Sequence, residues 1–106
     1  MSADIEFETN IIIREASEKF HIEKIYLFGS HANGTADEES DLDLCIISTD
    51  PRRKIDILRD LRKALIGKIH HSLDILVYTP FDFAERATCM DSIERDILTQ
   101  GIMIYG

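Results

Sequence analysis

Residues 40–47 read Ser-Asp-Leu-Asp-Leu-Cys-Ile-Ile, and this stretch decides the fold. Asp41 and Asp43 alternate with leucines, and the run then becomes continuously apolar, a pattern that predicts a β-strand over residues 42–47. Residues two apart in a strand project from the same face. We therefore expect the two carboxylates to lie side by side.

A Gly-Ser pair closes the strand that comes before. Residues 25–28, Ile-Tyr-Leu-Phe, are β-branched and aromatic and predict a strand that ends at Gly29. Gly29 has no side chain and lets a phosphate approach the backbone. Ser30 opens a short helical turn, predicted over residues 31–36, whose free N–H groups favour anions. This turn precedes the carboxylate pair and predicts, together with it, a phosphate-binding site.

A third carboxylate, Asp74, lies in the apolar run of residues 73–78, which predicts another strand. Clustered carboxylates repel one another unless cations lie between them, and their oxygens are natural Mg²⁺ ligands. Each feature alone also suits a plain turn or a solvated strand edge, but their conjunction favours a site. Paired Mg²⁺ ions bridge nucleophile and phosphate oxygens in phosphoryl transfer. We expect Asp41 and Asp43 to ligate both ions, and Asp74 to complete one site and help accept the hydroxyl proton.

Helices are predicted between these strands. The first is amphipathic and has its apolar positions at Ile5, Ile12, Ala16 and Phe20. The clearest helix follows the second strand and should bury one apolar stripe. Its expected cap, first-turn proline, stripe and closing glycine are, in order, Asp50, Pro51, Ile55, Leu58, Leu61, Leu65 and Gly67.

The end of the chain predicts two more helices and an edge strand. One helix covers residues 81–87 after Pro80, and another opens at a capping box, residues 91–94, and stops at Gly101. Residues 102–105 suit an edge strand. Helices alternating with strands predict an α/β (α+β) fold, a small mixed sheet with helices packed on it, as one domain over residues 1–106.

The composition suits one globular domain. The chain has 106 residues, 44% hydrophobic and 30% charged. Acidic residues outnumber basic ones by 20 to 12, and the net charge of −8 argues against nucleic-acid binding by the chain alone. No uncharged apolar run is long enough to cross a bilayer, and residues 1–6 lack the apolar segment of a secretory signal. Cys45 and Cys89 are therefore expected to be free buried thiols in a cytoplasmic protein.

Two stretches resemble the signature of a known family. Residues 27–35, Leu-Phe-Gly-Ser-His-Ala-Asn-Gly-Thr, and residues 40–44 resemble the minimal nucleotidyltransferases of the DNA polymerase beta-like nucleotidyltransferase superfamily. That family combines a Gly-Ser turn, a short gap, an Asp-x-Asp strand and a third acidic residue on a later strand. Residues 93–105 also look like the family's usual ending. The resemblance covers nearly the whole chain and implies the nucleotidyltransferase fold.

The resemblance also implies residue roles and a reaction. A nucleoside triphosphate would be held by Gly29, Ser30, Asn33 and Ser40, and the three aspartates would bind two Mg²⁺ ions, with Asp74 as the base. Many stand-alone members are encoded beside a HEPN-domain ribonuclease and serve as its antitoxin, some by transferring AMP from ATP to a toxin tyrosine. The implied function is thus a protein adenylyltransferase of the antitoxin type, with ATP as substrate and a HEPN toxin as partner.

Two alternatives to this function stay open, and a departure from the family favours one of them. Relatives often carry arginines where this chain has His31 and Asn33, and neither residue offers the fork that pairs bidentately with phosphate oxygens. The missing arginines and the small size favour an antitoxin that neutralises its toxin by binding alone. A third interpretation, which does not depend on this departure, is a small-molecule nucleotidyltransferase that acts as a homodimer.

Overall fold

The computed structural model describes residues 2–106, and Met1 lies outside them. Helices and strands alternate along these residues, and the strands form one sheet in the order β3-β2-β1-β4. In chain order the elements are α1 (Ala3–Lys19), β1 (Ile22–Phe28), α2 (Ser30–Asn33), β2 (Leu42–Ser48), α3 (Lys54–Leu65), β3 (Leu73–Tyr78), α4 (Pro80–Arg86), α5 (Ile93–Gln100) and β4 (Ile102–Tyr105).

The sheet is mixed, which confirms the predicted fold class. Strand β1 runs antiparallel to both β2 and β4, whereas β2 and β3 are parallel. A parallel pair needs a crossover connection, and α3 supplies it. Strand β4 lies at one edge, as predicted for residues 102–105.

Side-chain alternation gives the two faces of the sheet different helical partners. One face carries Leu42, Leu44 and Ile46 and packs on the buried sides of α1 and α3, including the four apolar residues predicted for the first helix. The opposite face carries Cys45 and Ile47 and packs on residues of α4 and α5. Asp43 alternates with Leu42 and Leu44, so its carboxylate projects from this second face.

The predicted C-terminal end of α3 was right, and the predicted N-terminal end was wrong. The helix ends at Leu65, just before Gly67, but begins at Lys54 with Arg53 at the cap position. Asp50 does not cap it. Instead, its carboxylate accepts hydrogen bonds from the backbone N–H groups of Arg52 (3.1 Å) and His21 (3.1 Å), which ties the loop after β2 to the start of β1.

The later start also changes which side of α3 is buried. Ile57 is 2% exposed and takes the core position expected of Ile55, which is 62% exposed. Leu61 and Leu65 are buried as predicted, and Leu58 packs against the core while partly exposed.

The helix α5 begins one residue later than the predicted capping box. Ser92 is its N-cap, and the Ser92 hydroxyl accepts from the Arg95 N–H at 3.0 Å. Glu94 has a different role from the one predicted, because its buried carboxylate accepts a 2.5 Å hydrogen bond from the Tyr78 hydroxyl. This bond fastens α5 to the end of β3.

Both cysteines are free, as predicted, but only Cys45 is buried. Cys89 lies exposed in the turn between α4 and α5, so the expectation of two buried thiols was wrong there. Among residues 2–106, no helix has the length and apolar character needed to span a membrane.

Candidate active site

The Gly29 turn is shaped around the Asp43 carboxylate. Gly29 has φ +74° and ψ −152°, a conformation essentially reserved for glycine. A Cβ at this position would lie 2.1 Å from Asp43 Oδ2 and 3.0 Å from its Cγ. Glycine is therefore required twice, once by the backbone and once by the close approach of the carboxylate. The Gly29 turn and the Asp43 carboxylate are thus packed directly against each other.

Strand register brings a second carboxylate to the same place. Asp43 pairs with Phe28 of β1 on one side and with Asp74 of β3 on the other. Because β2 and β3 are parallel and in register, the Asp43 and Asp74 side chains project from the same face as neighbours. Asp41 is exposed and lies immediately before β2.

The electrostatics show that the other two aspartates act on Asp43. Burial raises the pKa of Asp43, the negative charges of Asp74 and Asp41 raise it further, and His31 opposes part of the rise. Asp43 is only partly buried. Its ionised form is disfavoured by its neighbours, so a cation placed among the three carboxylates would be stabilised.

The donor chemistry of the cluster fits Mg²⁺, although the cluster is not a closed cage. Within residues 2–106, no three His, Cys, Asp or Glu side chains are gathered tightly enough to hold an ion by themselves. Carboxylate oxygens are the ligands that Mg²⁺ prefers, and Mg²⁺ usually completes its shell with water and substrate phosphates rather than with protein groups alone. An open set of carboxylates is therefore compatible with this ion.

The other predicted nucleotide-binding residues lie on the short helix α2 and the loop after it. Asn33 Oδ1 accepts hydrogen bonds from Thr35, from its N–H at 3.1 Å and its hydroxyl at 2.6 Å. The Ser40 hydroxyl accepts from the Asp37 N–H at 3.0 Å and donates to Asp37 Oδ1 at 3.1 Å. Both side chains thus shape the loop, and their contact with a nucleotide stays a prediction.

Cavities flank α2 on both sides. One, of about 580 Å³, lies between α2, its following loop and α1, and its walls include Ser30, His31 and His71. The other, of about 380 Å³, lies between α2 and α5 and includes Gly29 and Asn33. The Gly29–Ser30 turn therefore faces open space large enough for parts of a nucleotide on either side. The sequence did not identify His71 as a wall residue because its neighbours here come from α1 and α2.

The chain matches the model of the nucleotidyltransferase domain over residues 10–103. It belongs to that family. The family assignment agrees with the packed Gly29 turn and with the paired aspartates, and it confirms both the predicted fold and the expectation of an enzyme. This nucleotidyltransferase is also 35% identical over 99 residues to the candidate protein adenylyltransferase MJ1305 of Methanocaldococcus jannaschii. The match covers 88% of the chain and 66% of that relative.

Solved structures share the fold of this nucleotidyltransferase. A toxin–antitoxin structure with AMP-PNP is similar with a TM-score of 0.56 and 23% identity, over 92% of this chain and 72% of the other. The structure of the toxin–antitoxin MntA–HepT is similar with a TM-score of 0.51 and 19% identity, over 95% of this chain and 72% of the other. At these identities the likeness concerns the fold.

Proposed function

We propose that this nucleotidyltransferase transfers AMP from ATP to a tyrosine hydroxyl of a HEPN toxin and thereby serves as its antitoxin. The observation that carries the proposal is the fit of the Asp43 carboxylate against the Gly29 turn, with Asp74 in register beside it. A phosphate held at the turn would lie next to the two carboxylates. The similarity to MJ1305 and to toxin–antitoxin structures supports the choice of acceptor.

The residues divide the work of nucleotidyl transfer among them. Gly29 lets the phosphate-binding turn lie directly against the Asp43 carboxylate, and Ser30 with the N–H groups of the following turn would bind the triphosphate oxygens. Asp41, Asp43 and Asp74 would hold two Mg²⁺ ions, which when bound neutralise the phosphate charge and orient the acceptor hydroxyl. The β2–β3 pair keeps the Asp43 and Asp74 carboxylates at a fixed spacing.

The transfer exchanges one bond to the α-phosphorus for another. The acceptor tyrosine oxygen forms a bond to the α-phosphorus while the bond from that phosphorus to the bridging oxygen of the β-phosphate breaks, and pyrophosphate leaves. Asp74 takes the hydroxyl proton, and because its side chain is exposed it can pass that proton to solvent. We place the reaction in the cytoplasm, where ATP and Mg²⁺ are abundant.

The proposal is tested by incubating the purified chain with ATP, Mg²⁺ and the product of an adjacent HEPN-type gene, followed by intact-mass measurement. We expect the partner to gain mass in steps of one AMP. The double variant Asp41→Asn with Asp43→Asn should lose this activity and still bind the partner, whereas Asp91→Asn, an exposed position outside the cluster, should keep both.

The other outcomes distinguish the remaining functions. Transfer of AMP by the double aspartate variant would show that the metal-site assignment is wrong. A stable complex without any mass increase would favour an antitoxin that acts by binding alone, which the absence of arginines at His31 and Asn33 makes the second candidate. Modification of small hydroxyl compounds without partner binding would favour the small-molecule enzyme and its homodimer.

A further inference from the structure

A buried glutamate on α1 holds the loop that leads into β3. Glu8 is 4% exposed. Its Oε1 accepts hydrogen bonds from the backbone N–H groups of His70 (2.8 Å) and His71 (3.2 Å), and its Oε2 lies 2.8 Å from His71 Nδ1. One carboxylate thus engages three nitrogens of two consecutive residues. The loop it fixes ends two residues before Asp74.

The His71 ring then contacts the helix that follows the Gly29 turn. It meets the His31 ring edge-on, with 5.6 Å between ring centroids and 88° between planes. His31 Nε2 lies 3.1 Å from the Ser40 carbonyl oxygen, immediately before Asp41. A continuous series of contacts therefore runs from α1 through the loop before β3 to α2 and to the start of β2.

We propose that Glu8, His71 and His31 are positioning residues, which set the distance and angle between the Gly29–Ser30 turn and the aspartates of β2 and β3. None of the three needs to contact the nucleotide for this role. The catalytic consequence rests on the proposed AMP transfer, because a phosphate held at the turn has to meet carboxylates held by the strands. The mechanical part of the proposal concerns the chain alone.

The physical chemistry of Glu8 explains why the arrangement is rigid. Burial by itself raises the pKa of Glu8, but the His71 side chain and the N–H groups of His71 and His70 outweigh burial and leave the pKa below its ordinary value. The carboxylate is therefore charged and held by three bonds, and hydrogen bonds to a charged group are the stronger kind. Breaking one would leave a buried charge poorly compensated. Movement of the loop is costly, so the loop adds to the β2–β3 pairing in holding the start of the strand that carries Asp74.

Kinetics separate positioning from mere stability. We expect His71→Ala to lower kcat for AMP transfer by about 10- to 100-fold, the effect of a misplacement of about 1 Å, while KM for ATP changes by less than about threefold. His71→Asn keeps an N–H near the position of Nδ1 and should recover most of the thermal stability but only part of kcat, since it lacks the ring that meets His31. His70→Ala changes an exposed side chain and should match the wild type in both.

Two kinetic results would overturn the proposal. If the folded His71→Ala protein keeps the wild-type kcat and loses only thermal stability, His71 is a stabilising residue and no more. If KM for ATP rises strongly with kcat unchanged, His71 binds the nucleotide directly instead of positioning other groups.

Hydrogen exchange of the chain alone tests the same idea without any activity. In His71→Ala we expect faster exchange of backbone amides both in residues 70–74 and in the Gly29 turn and α2, with no change in His70→Ala. Faster exchange confined to residues 70–74 would refute the link to His31. If the wild-type chain transfers no AMP and the exchange pattern is nevertheless the expected one, the proposed function fails and the mechanical link stands.

Discussion

Substituting alanine for Gly29 separates the two reasons for which the site needs glycine. The backbone conformation, φ +74° with ψ −152°, costs a residue with a Cβ about 1–3 kcal/mol. The new Cβ would also lie 2.1 Å from Asp43 Oδ2, where ordinary contact begins at 3.4 Å. The carboxylate would have to retreat by about 1.3 Å, and a shift of about 1 Å among reacting groups can lower a rate about 100-fold.

Gly34 provides a matched control four residues beyond the turn's Ser30. Its φ is also positive, at +82° and in the left-handed helical region, but a Cβ there would meet nothing within 4 Å. Gly34→Ala should therefore cost only the conformational strain, about 1–2 kcal/mol. In a domain of this size each kcal/mol lowers Tm by about 4–8 °C. Gly29→Ala should lose at least as much stability as the control.

The assay compares AMP transfer per folded molecule in both variants, below the lower of their Tm values. We expect Gly34→Ala to stay within about threefold of the wild type and Gly29→Ala to fall about 100-fold or more. Activity of Gly29→Ala near the wild-type level would refute the reasoning, because the Asp43 carboxylate would then not need its present position. An equal loss in both variants would also refute it, since strain alone would explain the effect.

Further predictions concern charge, the core and a buried bond. Asp43→Asn should abolish transfer yet stabilise the metal-free chain. Because the pKa of Asp43 is raised in the folded state, its contribution to the free energy of unfolding declines as pH rises above 3.8. Urea unfolding should therefore show the gain at neutral pH and none in strong acid. Ile57→Ala should cost about 2–5 kcal/mol in urea unfolding and Ile55→Ala less than about 0.5 kcal/mol, and equal costs would contradict the observed face of the helix. Tyr78→Phe removes the donor to the buried Glu94 carboxylate and should cost about 1–3 kcal/mol by thermal unfolding, with partial recovery on adding Glu94→Gln.

Local patterns were enough to predict the strands and the two parts of the candidate site, the Gly29 turn and the aspartates. Alternation around Asp43 and the break at Gly29 are properties of a few neighbouring residues, and the structure confirms the strands that they predict. The errors arose where distant residues compete for the same group. Asp50 is a good helix cap by type, but the N–H groups of His21 and Arg52 take its carboxylate.

The positions missed by sequence reasoning have the same cause. Glu94 looked like the closing residue of a capping box, but its carboxylate is bonded to Tyr78, sixteen residues earlier. Glu8 and His71 lie sixty-three residues apart, and no local pattern connects them. Contacts between such distant side chains depend on how the strands are ordered in the sheet. The sequence predicted a mixed sheet but no strand order, so these contacts appear only once the fold is known.

The charge balance of the site implies that nucleotide and metal bind together. The cluster repels anions, as the raised pKa of Asp43 shows, and His31 and Asn33 do not supply the permanent positive charge of arginine. Under the proposed function, triphosphate affinity must come largely from Mg²⁺ placed between carboxylates and phosphates. Linkage is reciprocal, so ATP should raise the affinity for Mg²⁺ by the same factor by which Mg²⁺ raises the affinity for ATP.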